Sequence, residues 1–244
     1  MAYLSLLLER VHRKPDNSWL LRSLYAINPG EYEMKHLLQF AICMSLLISL
    51  PVFAAGDAGA GQNKSAVCAA CHGADGNSAV PNWPKIAGQH AAYLERQLVL
   101  MKHGERPVPE MAGIVAGLSD QDVADLSAFF ATQNIKPGVT DTGLRTSGER
   151  IYRAGNPETE VPACMACHGI AGEGNPLSGY PSLAGQHAVY TDKMLTRFRA
   201  GDTWGVDDTN SKIMTDVAHR LSDSEIKAVS SYIQGLYAVS GQAE

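Results

Sequence analysis

Cys68-Ala-Ala-Cys71-His72-Gly73 returns as Cys164-Met-Ala-Cys167-His168-Gly169, 96 residues further along the chain. Ala87-Gly88-Gln89-His90-Ala91 returns unchanged as Ala184-Gly185-Gln186-His187-Ala188, 97 residues on, and Tyr93 is echoed by Tyr190. Leu118-Ser119-Asp120 returns as Leu221-Ser222-Asp223, 103 residues on. Three ordered markers at nearly one spacing make the chain from about residue 55 two copies of one unit. The offset grows by six between the second and third markers, so the second copy carries a longer loop there. Between the copies, residues 135–143 are rich in turn formers and read as a linker, which divides the chain into units 55–140 and 141–244.

Each unit reads as all-α. Ser119 with Asp122, and Ser222 with Glu225, match the capping box that opens a helix. After them Val123, Leu126 and Phe130 fall on one face, as do Ile226, Val229, Ile233 and Leu236. A second helix is expected through 93–101 and 190–198, and a third around 59–71 and 147–153. No run alternates long enough to read as a strand. Units this small have thin cores, which a large apolar cofactor can fill.

Cys-x-x-Cys-His is the attachment signature of a c-type haem. Two cysteines one helical turn apart reach the two vinyl groups on one haem edge and form thioethers; the histidine that follows becomes a ligand of the iron. Cys68, Cys71, Cys164 and Cys167 are therefore the expected attachment points of two covalently bound haem c groups, with His72 and His168 on the irons. A redox dithiol or a zinc site would also use paired cysteines. A dithiol does not require histidine after both pairs, and zinc pairs stand about 15–20 residues apart, whereas 92 residues lie between Cys71 and Cys164.

The other axial position decides whether an iron is closed for electron transfer or open to oxygen and peroxide. Methionine sulfur closes it and raises the potential. Met111 precedes Leu118 by seven residues and Met214 precedes Leu221 by seven. Among the methionines after residue 55 this is the aligned pair: Met101 matches Phe198, Met194 matches Gln97, and Met165 matches Ala69. Met111 and Met214 are the expected ligands. The aligned pair His90 and His187 is the alternative, while His103 and His219 lack a counterpart. Pro84 and Pro181 follow the two motif histidines by 12 and 13 residues. A carbonyl there, on a stiff loop, suits the second ring nitrogen of the histidine.

At the N-terminal end, Lys35 and His36 precede an apolar run over 37–53 and then Ala54-Ala55-Gly56. That is a secretory signal over 34–54 with cleavage after Ala54; the run is shorter than the roughly 20 residues of a spanning helix. Met34 is the expected start, and residues 1–33 form an upstream extension to which no function is given. The chain is then exported. Its net charge is −5 overall, leaving no basic surface for nucleic acid.

The two Cys-x-x-Cys-His-Gly motifs, the Pro-x-(Ile/Leu)-Ala-Gly-Gln segments and each methionine followed by Leu-Ser-Asp together resemble the dihaem cytochrome c4 family, over residues 55–240. The resemblance implies two tandem class I cytochrome c domains related by pseudo-two-fold symmetry. It implies axial ligation by His72 with Met111 and by His168 with Met214, and proximal histidines bonded to the carbonyls of Pro84 and Pro181. It also implies a periplasmic carrier, soluble or loosely attached to the membrane, between a quinol-oxidising complex and a terminal oxidase. Two other functions use the same parts: the haem subunit of a flavocytochrome sulfide dehydrogenase, and a dihaem peroxidase, which would need one displaceable ligand. Finally, the longer loop of the second copy holds Asp202, Asp207 and Asp208, against Glu105 and Glu110 beside Lys102 and Arg106 in the first. Charge alone then predicts the lower potential for the C-terminal haem.

Overall fold

Ser119 and Ser222 each accept the backbone N–H three residues on, from Asp122 and Glu225, whose carboxylates bond back to the serine N–H. These capping boxes open the last helix of each repeat. The computed structural model describes residues 36, 37, 39, 55–205 and 208–237. Residues 1–53 form a unit of their own, of which His36, Leu37 and Gln39 are described, in helical conformation. The rest of the segment expected to be a secretory signal over 34–54, with its Cys43, the stretch 1–33 before it, and Asp207 lie outside the described residues. Among the described residues no helix is long and apolar enough to cross a membrane.

From residue 55 the described chain holds ten helices: α1 Ala58–Lys64, α2 Ala66–His72, α3 Ala91–Lys102, α4 Pro109–Ala116, α5 Asp120–Ala131, α6 Arg145–Ala154, α7 Met165–His168, α8 Ala188–Arg199, α9 Thr209–Ala218 and α10 Asp223–Gln234. The packing repeats as the sequence does. In the first copy α1 lies on α5, and α3 packs on α5 and α4; in the second α6 lies on α10, and α8 packs on α10 and α9. Among the described residues β-pairing is confined to two isolated bridges, Asn156 with Val161 and Asn175 with Tyr180.

Three details depart from the sequence reading. The helix expected over 59–71 is two helices that turn at Ser65. In the second copy α6 covers the helix expected over 147–153, but the short α7 at the cysteine pair, beyond a loop, was not expected. The methionine-bearing helices α4 and α9 were not expected. Their starts are nevertheless written locally: Pro109 stands in the first turn of α4, where its missing N–H costs nothing, and the Asp208 carboxylate caps α9 by accepting from the Asn210 and Ser211 N–H groups.

The linker is not a free tether. Gly138 N–H donates to the Gln234 carbonyl at 2.8 Å, Gln234 Nε2 donates to the Val139 carbonyl at 2.9 Å, and Asp141 N–H donates to Ser231 Oγ at 2.9 Å. The apolar cores differ in size. Leu94, Leu126, Phe129 and Phe130 make the first, whereas the second includes Ile151, Tyr152, Phe198, Trp204, Ile226, Val229 and Ile233, and Leu100 of the first copy packs against it.

Candidate haem-binding cavity

One turn of α2 carries Cys68 and Cys71 and ends on His72; in the second copy Cys164 lies just before α7, which holds Cys167 and His168. Both histidines are buried. His72 Nδ1 is 2.8 Å from the Pro84 carbonyl and His168 Nδ1 is 3.0 Å from the Pro181 carbonyl. A carbonyl can only accept, so Nδ1 carries the proton and Nε2 keeps its lone pair for a metal. Burial pushes both imidazole pKa values down, against the upward pull of the carbonyl bond. Neutral, oriented imidazole is what an iron ligand requires.

Burial also pushes the Cys68 and Cys164 thiols up to about 11. Dithiol exchange depends on a thiolate at neutral pH, so these environments disfavour it. Among the described residues no three His, Cys, Asp or Glu side chains converge as a metal-holding cluster. The thiols suit thioether attachment.

Both motifs open into one cavity of about 630 Å³. Cys68, Cys71, His72 and Met111 line it from the first copy, and Cys164, Cys167, His168 and Met214 from the second. Met111 stands on α4 and Met214 on α9, both half-buried. Met101 and Met194 line the cavity too, so lining alone does not choose among methionines. His90 and His187 are not among the lining residues. They stand at the N-caps of α3 and α8, where His187 Nε2 lies 2.9 Å from the Ser78 carbonyl and 3.0 Å from its hydroxyl. His103 and His219 are exposed. The cavity also fits the anionic part of a haem. Gln97 Nε2, Arg106 Nε and Trp204 Nε1 are buried donors without a protein partner, and all three residues line it. The propionate carboxylates of a haem supply acceptors for such groups.

The extra residues of the second copy do not form a solvent loop. Trp204, 5% exposed, packs against Phe198 with the rings tilted by 44° and their centroids 5.0 Å apart. The Arg106 guanidinium of the first copy lies 4.2 Å over the Trp204 ring, donating to Gln97 Oε1 at 2.7 Å and to Tyr190 Oη at 3.0 Å. Asp208 pairs with Arg96, and Asp202 with Arg197 at 2.6 Å. Two of the carboxylates counted from sequence, Asp202 and Asp208, thus have cationic partners, and Arg106 is buried between the copies, bonded to Gln97 and Tyr190. Sequence reading missed this cluster; a tryptophan inside the six-residue insertion was the available signal.

Comparison with known proteins agrees with this geometry. The family model for cytochrome c matches residues 57–134 and again 146–237. Cytochrome c4 of Pseudomonas aeruginosa is 48% identical over 200 residues, 80% of this chain and 98% of that one. The crystal structure of reduced recombinant cytochrome c4 from Pseudomonas stutzeri superposes with a TM-score of 0.71 at 48% identity, covering 75% of this chain and all of that one. More distantly, a thiosulfate dehydrogenase electron acceptor of Stutzerimonas stutzeri is 36% identical over 192 residues, 75% of this chain and 84% of that one.

Proposed function

The chain belongs to the dihaem cytochrome c4 family, and from that premise we propose that it works in the periplasm, taking electrons from a quinol-oxidising complex and passing them to a terminal oxidase. It is an electron carrier rather than an enzyme, and its two covalently bound haem c groups supply the one-electron chemistry. Cys68 and Cys71 hold one haem, Cys164 and Cys167 the other. His72 with Met111, and His168 with Met214, close the two irons. The supporting observation is that one cavity meets both motif histidines and the single aligned methionine pair. With both positions closed by protein, neither iron is left open for a peroxidase reaction. The exported state rests on the sequence signal over 34–54, and peripheral membrane attachment is compatible with it.

Reduced protein mixed with membranes containing a terminal oxidase should be reoxidised at a rate that saturates with oxidase, and membranes lacking that oxidase should leave it reduced. Equal rates on both membranes would contradict the proposed acceptor. The 36% relative named as an electron acceptor of thiosulfate dehydrogenase favours a second donor, a dehydrogenase of reduced sulfur compounds. Reduction by a purified thiosulfate dehydrogenase faster than by a quinol-oxidising complex would select that donor.

A further inference from the structure

Each Ala-Gly-Gln-His segment reaches across to the other copy. Lys85 N–H donates to Gln186 Oε1 at 2.9 Å, and Gln186 Nε2 donates to the Lys85 carbonyl at 2.8 Å. Symmetrically, Ser182 N–H donates to Gln89 Oε1 at 2.9 Å, and Gln89 Nε2 donates to the Ser182 carbonyl at 2.9 Å. Each amide is held by its own helix as well: Oε1 of Gln89 accepts from His90 N–H, and Oε1 of Gln186 from His187 N–H, both at 3.0 Å.

The bonded peptide is the decisive one. Lys85 N–H and the Pro84 carbonyl belong to the same peptide group, and that carbonyl accepts from His72 Nδ1. Ser182 N–H and the Pro181 carbonyl likewise share one peptide group, which accepts from His168 Nδ1. Two unbroken chains result: Gln186 to the 84–85 peptide to His72, and Gln89 to the 181–182 peptide to His168. An acceptor on a peptide N–H polarises the group and strengthens its carbonyl as an acceptor, since hydrogen bonds in series reinforce one another. A stronger acceptor on Nδ1 makes imidazole a better donor to its metal, which favours the oxidised state.

We propose that Gln186 and Gln89 are positioning residues acting in trans, each tuning the proximal histidine, and hence the potential, of the haem in the opposite domain. The proposal rests on His72 and His168 being the proximal ligands.

Gln186→Leu removes the acceptor from Lys85 N–H. In a redox titration of the holoprotein, the step assigned to the haem on Cys68 and Cys71 should move up, and the step of the haem in the variant's own domain should stay at the wild-type value. Gln89→Leu should show the mirror result. Gln186→Glu supplies a stronger acceptor to the same N–H and should move the N-terminal step down. Opposite signs for Leu and Glu at one site are not produced by loosened packing. The same preparations are checked by sedimentation, so that a variant whose halves have separated is recognised; the Glu variants then carry the test. Shifts confined to the variant's own domain, equal shifts of both steps, or no shift would overturn the proposal. Failure of the ligation reading is separate, because it would show in the wild type as a spectrum lacking two six-coordinate, histidine–methionine-ligated haems.

Discussion

Gly61 lies against the Asp125 carbonyl so closely that a Cβ at Gly61 would come within 2.0 Å of that oxygen and 2.8 Å of Phe129 Cβ. Gly148 stands in the same relation to the second copy, where a Cβ would come within 2.2 Å of the Ala228 carbonyl and 2.7 Å of Tyr232 Cβ. These are the points where α1 crosses α5 and α6 crosses α10. The obstacle is backbone, which cannot rotate away as a side-chain end can.

Gly61→Ala and Gly148→Ala should each therefore destabilise the fold by about 3 kcal/mol or more, at or beyond the upper end of overpacking costs. Denaturant unfolding measures this. A loss below about 0.5 kcal/mol would show that the crossings relax freely.

Acid should loosen the first domain through a defined cluster. Lys64 Nζ lies 2.6 Å from Asp122 Oδ1 and 2.8 Å from Asp125 Oδ2. The bond from Lys64 holds the Asp125 carboxyl down at about 2, and depresses Asp122 as well. A free aspartate titrates near about 3.9. A carboxyl with a depressed native pKa gives stability that is fully present above the unfolded value and is lost as pH falls through the native one. Stability measured against pH should thus decline between about pH 4 and pH 2. Lys64→Met should lower stability at neutral pH and flatten that acid limb; an unchanged slope would contradict the assignment.

Trp204 is a buried anchor contributed by the longer loop of the second copy. Trp204→Ala should cost about 3–5 kcal/mol, as for other buried aromatic truncations. It should also weaken the contact with Arg106, so Arg106→Met in the same background should cost less than it does alone. Additive costs in the double-mutant cycle would show that the 4.2 Å stacking contributes nothing.

Much of the site was legible because its chemistry is local. The cysteine pairs, the histidines after them and the two prolines stand in short motifs, and the His72–Pro84 and His168–Pro181 bonds are where those motifs put them. Both capping boxes were equally local. The longer-range features were not readable in the same way. Nothing beside Gln89 or Gln186 indicates a partner 93 or 101 residues distant; the unchanged repetition of the segment was the available signal. Formal charge counted along the sequence leaves out pairing for a related reason, since Asp208 is paired with Arg96, 112 residues away. Met111 and Met214 were singled out by aligning the copies, and both line the cavity, on helices that had no clear apolar period in the sequence.

The central claim is that His72 with Met111, and His168 with Met214, close two haem irons in a carrier. Carbon monoxide binds only where an axial position is open. The wild type should bind little; Met111→Ala and Met214→Ala should each bind one equivalent per two haems, and the double variant two. Met101→Leu and Met194→Leu, which alter methionines lining the same cavity, should behave as the wild type. A Met111→Ala or Met214→Ala protein that keeps both haems six-coordinate and closed to carbon monoxide would contradict the account.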